Sequence, residues 1–128
     1  MIQVAINGFG RIGRLAFREM ITSTDFDVVA INDLGNAEEL AYLLKYDTNH
    51  RSFYEDQISF ENDYLVIANK KKIKVFTEAD PINLPWKDLD VDLVLECSGH
   101  FTKVEDAHKH IEAGAKKVII SAPSKGDV

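Results

Sequence analysis

The chain has 128 residues, of which 45% are apolar and 28% charged, with a formal net charge of −6. That length suits one domain with a real hydrophobic core, and the composition excludes a disordered or collagen-like chain. The negative balance, with no basic face, argues against nucleic acid as a partner, because such binding rests on cations meeting phosphates.

The elements alternate along the chain. Ile2 to Ile6 is a short apolar run ending at Asn7-Gly8, as expected of a buried parallel strand. From Arg11 to about Ser23 a helix is predicted, with Ile12, Leu15, Ala16 and Met20 at helical spacing. Phe26 to Asn32 is a second strand. Ala37 to Lys45 is a second helix, with Ala37, Leu40, Ala41 and Leu44 on one face. Ile58 to Phe60, Tyr64 to Ala68 and Ile73 to Thr77 read as short strands, the last two forming an antiparallel hairpin. Lys70-Lys71-Lys72 is expected to be its solvated turn rather than a binding patch. Pro81 and Pro85 break the chain before a core strand at Leu93 to Cys97. A helix is predicted from Lys103 to Ala113, with Val104, Ala107, His108 and Ile111 on one side and Gly114 as its stop. Lys117 to Ser121 is the last strand.

Strands alternating with helices predict an α/β fold with a mainly parallel sheet, helices on both faces and a small antiparallel hairpin insertion. In such sheets ligands bind beyond the carboxyl ends of strands, where strand order reverses. Here those ends are Asn7-Gly8, Asn32-Asp33, Ser98-Gly99 and Ser121-Ala122, all small or polar.

The first strand runs into Gly8-Phe9-Gly10-Arg11-Ile12-Gly13, a G-x-G-x-x-G at the head of a helix. Gly8 permits the tight turn, Gly10 lets backbone approach a pyrophosphate, and Gly13 allows helix to pack on strand. The helix N-terminus offers N–H groups and a positive dipole end to the phosphates. Asp33 stands 20 residues beyond Gly13, at the end of the second strand. A carboxylate there can accept hydrogen bonds from ribose hydroxyls and repels the extra phosphate of NADP, so the expected cofactor is NAD. The pattern is that of a Rossmann-type, doubly wound domain.

Longer stretches carry a closer likeness. Ile6 to Glu19, Ala30 to Leu34, Leu43 to Phe53, Glu96 to Thr102 and Lys116 to Asp127 resemble, in the same order, segments of phosphorylating glyceraldehyde-3-phosphate dehydrogenases. The resemblance implies that Asn7, Gly8, Gly10, Arg11 and Ile12 line the cofactor, with the Arg11 and Ile12 N–H groups on the pyrophosphate. It places Asn32 and Asp33 at the adenosine, Ser98 and Gly99 beneath the cofactor, and Ser121 near the nicotinamide. Capping of strand-end turns is the plainer role for Ser98 and Ser121. Ala79 stands where many relatives carry arginine beside the adenine. Cys97-Ser98 replaces the more usual Ser-Thr, and Arg51 replaces a common glycine.

The resemblance also bears on Cys97, the only cysteine. The family's nucleophile lies in a Ser-Cys-Thr-Thr-Asn motif, and its base is a later histidine. Neither is present in this sequence, so Cys97 is expected to be a small, partly buried residue. His50 is expected in a loop, and His108 and His110 on a helix, with no metal-ligand spacing to a cysteine. Residues 1–128 are therefore expected to be an incomplete NAD-binding domain, inactive alone, from a parent that is a homotetramer. The alternatives are the cofactor domain of an erythrose-4-phosphate dehydrogenase, which shares this half, or a non-catalytic interaction module. One cysteine forms no internal disulfide, no apolar run reaches the roughly 20 residues that span a bilayer, and no signal peptide is visible. A cytoplasmic location follows as the expectation, with neither membrane nor nucleic acid as partner.

Overall fold

The structure, a computed structural model, describes residues 2–21, 25–45, 58–67, 71–78, 80–97 and 104–120. Its strands are β1 (Ile2–Asn7), β2 (Phe26–Asn32), β3 (Ile58–Glu61), β4 (Tyr64–Ile67), β5 (Lys71–Phe76), β6 (Leu93–Glu96) and β7 (Lys117–Ile120). The helices are α1 (Arg11–Ile21), α2 (Ala37–Lys45) and α3 (Val104–Glu112), and a 3₁₀ turn lies at Pro81–Asn83. The strands form one sheet in the order β3-β4-β5-β2-β1-β6-β7. β5, β2, β1, β6 and β7 run parallel, while β4 lies antiparallel to β5 and β3 antiparallel to β4. The predicted fold class is the observed one. The antiparallel strands extend the main sheet rather than stand apart from it.

Strand order reverses between β1 and β6. The chain moves from β1 to β2, fills the positions beyond β2, and returns to pair β6 with the other side of β1. The crevice expected of a doubly wound sheet therefore lies over the carboxyl ends of β1 and β6.

The two faces of the sheet have separate cores. Val4, Ile6, Val28 and Ile31 pack with Phe17 of α1 and with Ala37, Leu40, Ala41 and Leu44 of α2. On the other face Ala5, Ala30 and Val94 pack with Leu84, Trp86, Val91 and Ala115. One irregularity in the β1–β2 register makes this work. Val4 pairs with Val28, but Ala5 pairs with Ala30, so the ladder skips Val29 and brings Asn7 opposite Asn32.

The sequence explains the helix ends. Asn36 accepts the Glu39 N–H on its side-chain oxygen at 2.9 Å, and its own N–H reaches the Glu39 carboxylate at 3.2 Å. This reciprocal pair starts α2. Gly114, with φ of 121°, ends α3 as expected, and a Cβ there would sit 2.4 Å from the Lys87 nitrogen. The turn of the β3–β4 hairpin takes Asn62 at φ 54°, a conformation asparagine tolerates.

Three expectations need correction. Ile12 and Leu15 are 45% and 38% exposed, and the buried face of α1 is instead Gly13 and Phe17, flanked by Ala16 and Met20. Apolar spacing alone could not choose between overlapping stripes two positions apart. On α3, His108 is exposed and His110 is fully buried. Lys71 and Lys72 belong to β5 rather than to a turn: Lys71 pairs with Asp27 of β2 and Lys72 with Glu61 of β3. Lys71 and Lys72 are laddered opposite Ile67 and Val66 of β4, and the carboxylates of Asp27 and Glu61 offset their charge. Lys70 lies outside the described residues.

Candidate functional site

The carboxyl end of β1 feeds the glycine turn. Gly8 has φ of 96°, which favours glycine, and its N–H donates to the Asn32 carbonyl at 2.7 Å. This bond ties the turn to the end of β2. Gly13 sits so close beneath that a Cβ would lie 2.2 Å from the Gly8 carbonyl oxygen. No side chain fits there, so helix and strand approach to a distance only glycine allows. At Gly10 a Cβ would meet nothing within 4 Å. Open space above Gly10 and contact beneath Gly13 are what a backbone cradle for an external group requires.

The first intrahelical bond of α1 runs from the Arg14 N–H to the Gly10 carbonyl at 2.9 Å. The N–H groups of Arg11, Ile12 and Gly13 precede it, at the positive end of the helix. The Arg14 side chain donates to the Phe9 carbonyl at 3.0 Å and braces the loop from its other side.

Asp33 faces this loop. One carboxylate oxygen accepts the Phe9 N–H at 2.8 Å, and the other accepts the Gly35 N–H at 2.9 Å. Each oxygen keeps further lone-pair capacity, so Asp33 can anchor the loop and still accept from a hydroxyl. The anchoring role was missed in the sequence, although Asp after a strand commonly bonds nearby backbone N–H groups.

Asn7 and Asn32 are buried at 3% and 4% exposure, side by side in register. The Asn32 amide donates to the Asn7 side-chain oxygen at 2.7 Å and to the Glu78 carbonyl at 2.9 Å, and its oxygen accepts the Glu78 N–H at 2.9 Å. The Asn7 amide donates to the Glu96 carboxylate at 2.7 Å. Both asparagines form the floor of the crevice. Glu96 was not singled out in the sequence, although an acid ending the apolar run Leu93-Val94-Leu95 is the kind of buried charge that asks for a partner.

Asn7, Gly8, Gly10, Arg11, Ile12, Gly13, Asn32 and Asp33 thus converge at the ends of β1 and β2. Ser98, Gly99 and Ser121 lie outside the described residues, as do Ala79, His50 and Arg51. Cys97 is buried at 9% exposure, and its N–H donates to the Asn7 carbonyl at 2.7 Å, extending the β1–β6 ladder. Among the described residues no group of three or more histidines, cysteines and carboxylates could hold a metal ion.

A glycine cradle at a helix N-terminus, a carboxylate at the end of the adjacent strand and a crevice at the switch point define a dinucleotide-binding α/β domain. The space over Gly10 and the acceptor capacity of Asp33 fit that cofactor. The family described as "Glyceraldehyde 3-phosphate dehydrogenase, NAD binding domain" matches residues 2–104. The glyceraldehyde-3-phosphate dehydrogenase of Chlamydia pneumoniae is 54% identical over 128 residues, covering 99% of this chain and 38% of the relative. That of Clostridium pasteurianum is 53% identical, covering 100% of this chain and 38% of the relative. That of Mycoplasma pneumoniae is 49% identical over 124 residues, covering 97% of this chain and 36% of the relative. The chain belongs to the glyceraldehyde-3-phosphate dehydrogenase family, as its NAD-binding domain, and it spans 38% of the length of the first curated relatives it matches.

Proposed function

We propose that this chain is the cofactor half of a phosphorylating, NAD-dependent glyceraldehyde-3-phosphate dehydrogenase, and that by itself it binds NAD without catalysing the reaction. The observation that carries the reading is the Gly8–Gly13 contact, beneath an open Gly10 and beside a carboxylate at Asp33. In this reading the N–H groups of Arg11 and Ile12 hold the pyrophosphate, and Asp33 receives the adenosine ribose hydroxyls. Asn7, Gly8 and Asn32 shape the floor below. Ser98 and Gly99 underlie the cofactor further along, and Ser121 approaches the nicotinamide. Bound NAD supplies a hydride acceptor for oxidation of the aldehyde.

The chain's own residues bind and orient the cofactor. Its single cysteine is buried and built into the sheet ladder, which suits packing rather than nucleophilic attack. The nucleophile and base of the parent enzyme then lie in a catalytic part beyond these 128 residues. The parent is read as a cytoplasmic homotetramer, a reading that rests on the family. Among the described residues no helix is long and apolar enough to cross a membrane.

Calorimetric titration of the purified chain with NAD and with NADP tests this. Saturable heat with NAD and far weaker binding of NADP is the expected result. No saturable binding of NAD would overturn the proposal.

A further inference from the structure

A continuous line of buried side chains crosses the sheet beneath the crevice. Trp86, His110 and Glu96 are 0%, 0% and 1% exposed, and Asn7 and Asn32 continue the line at 3% and 4%. The Trp86 Nε1–H donates to His110 Nδ1 at 2.9 Å, and the two rings stack with centroids 6.2 Å apart. His110 Nε2 lies 2.7 Å from Glu96 Oε2, the oxygen that also accepts the Asn7 amide at 2.7 Å. Asn32 donates to Asn7, and the Glu78 N–H donates to Asn32.

The chemistry of each group dictates the direction of every bond. An indole N–H only donates, so His110 Nδ1 must accept. A neutral imidazole then carries its proton on Nε2, which donates to Glu96. Glu96 Oε2 is an acceptor for both neighbours, so Asn7 must present its NH₂ there and its oxygen to Asn32. Asn32 in turn must present its NH₂ to Asn7 and its oxygen to the Glu78 N–H. The bonds from Trp86 through His110 and from Asn32 through Asn7 point inward to one carboxylate, which is how a buried acid is kept in an apolar interior, while the Asn32 amide also donates outward to the Glu78 carbonyl.

The place of the acid matters as much as its partners. Glu96 and Asn7 are register partners on β6 and β1, the strands between which the order reverses. Asn32, the next partner along the same row, gives its carbonyl to the Gly8 N–H. A reversed amide at Asn7 would set oxygen against the carboxylate and its NH₂ against the NH₂ of Asn32, which the Glu78 backbone also fixes.

We propose that Glu96 is a positioning residue for the cofactor site. It sets the orientation of the Asn7 amide and through it steadies Asn32, whose main-chain carbonyl seats the glycine turn and whose side chain holds the Glu78 segment. His110 and Trp86 hold the carboxylate in place on the side away from Asn7. The inference rests on the reading of the crevice as an NAD site.

The test compares NAD affinity by calorimetry, and melting temperature separately, for the wild-type chain, Glu96→Gln and Trp86→Phe. Glutamine keeps the size but replaces charge-assisted bonds with neutral ones, and phenylalanine removes the indole donor without touching the crevice. The expected result is a dissociation constant raised about three- to tenfold in Glu96→Gln, and about twofold in Trp86→Phe, measured on folded protein. Wild-type affinity in both variants, with only the melting temperature lowered, would overturn the positioning role and leave the cofactor reading intact. No NAD binding by the wild type would overturn that reading and this inference with it. Should the variants not fold, the His110 tautomer in the wild type is read by nitrogen-15 NMR. A single Nε2–H form supports the proposal, and an Nδ1–H form or a mixture overturns it.

Discussion

The Asp33 carboxylate accepts the Phe9 backbone N–H at 2.8 Å, joining the end of β2 to the middle of the glycine turn. One acid thus both shapes the cradle and stands where a ribose is expected. Its second oxygen holds the Gly35 N–H at 2.9 Å, so the residue is fixed before any ligand arrives. Preorganisation of this kind lowers the entropic cost of binding.

Asp33→Asn should therefore weaken NAD more than the loss of one hydroxyl contact would. An asparagine can accept from only one of the two N–H groups, and its NH₂ faces the other. Hydrogen bonds to charged groups are worth roughly 1.5–3 kcal/mol, so a loss of about tenfold or more in affinity is expected. The ratio of NADP to NAD binding should rise, because the charge that repels the extra phosphate is gone. Parallel titrations with the two cofactors measure both effects.

Gly13→Ala places a Cβ 2.2 Å from the Gly8 carbonyl oxygen, which is backbone and cannot swing aside. Helix and turn must separate, at a cost of about 1–3 kcal/mol. Urea unfolding should show the lower midpoint, and NAD affinity should fall with it. Gly10→Ala is the contrasting variant. Its Cβ meets nothing within 4 Å, so stability should hold while cofactor binding suffers.

Gly114→Ala should destabilise the chain by about 2 kcal/mol or more, because the positive φ and the packing both exclude a side chain. The added Cβ would lie 2.4 Å from both the nitrogen and the Cβ of Lys87. Asparagine, which tolerates ordinary left-handed backbone, should give no rescue here, since its Cβ meets the same atoms. Thermal melts of the two variants would coincide within about 1 kcal/mol of stability.

Asp92 gathers three strands at the amino end of the sheet. Its carboxylate accepts the Gln3 N–H and pairs with Lys116 at 3.0 Å, while its backbone bonds Gln3 and Lys117. The Gln3 N–H first, and then Lys116, hold its carboxyl below the ordinary value of 3.8. Asp92 raises the Lys116 ammonium above its ordinary 10.5. A depressed acid contributes stability that is present above its unfolded value and lost as pH falls through the folded one. A raised base contributes stability that is present below its unfolded value and lost as pH rises through the folded one. The wild type should thus exceed Asp92→Asn in melting temperature between about pH 4 and pH 10. The gap should close towards each extreme, and more slowly in low salt than in high. Melts across a pH series check the shape.

Much of this protein was written along the chain in local terms. The glycine turn, its helix and Asp33 lie within 26 residues, and each glycine answers to a steric demand that its neighbours impose. The face of α2 and the stop at Gly114 were equally legible, because 3.6-residue periodicity and positive φ are properties of short segments. The sheet order, the pairing of Lys71 and Lys72 with carboxylates on other strands, and the burial of His110 were not. Neither was the line from Trp86 to Asn32, in which Glu96 meets an asparagine 89 residues away and a histidine 14 residues away. A hydrogen bond across strands depends on register, and register is settled by the packing of both faces at once. The residue types at the floor of the crevice belong to the sequence; which atom of each faces which neighbour belongs to the tertiary structure, because only there do donors and acceptors from distant segments have to agree.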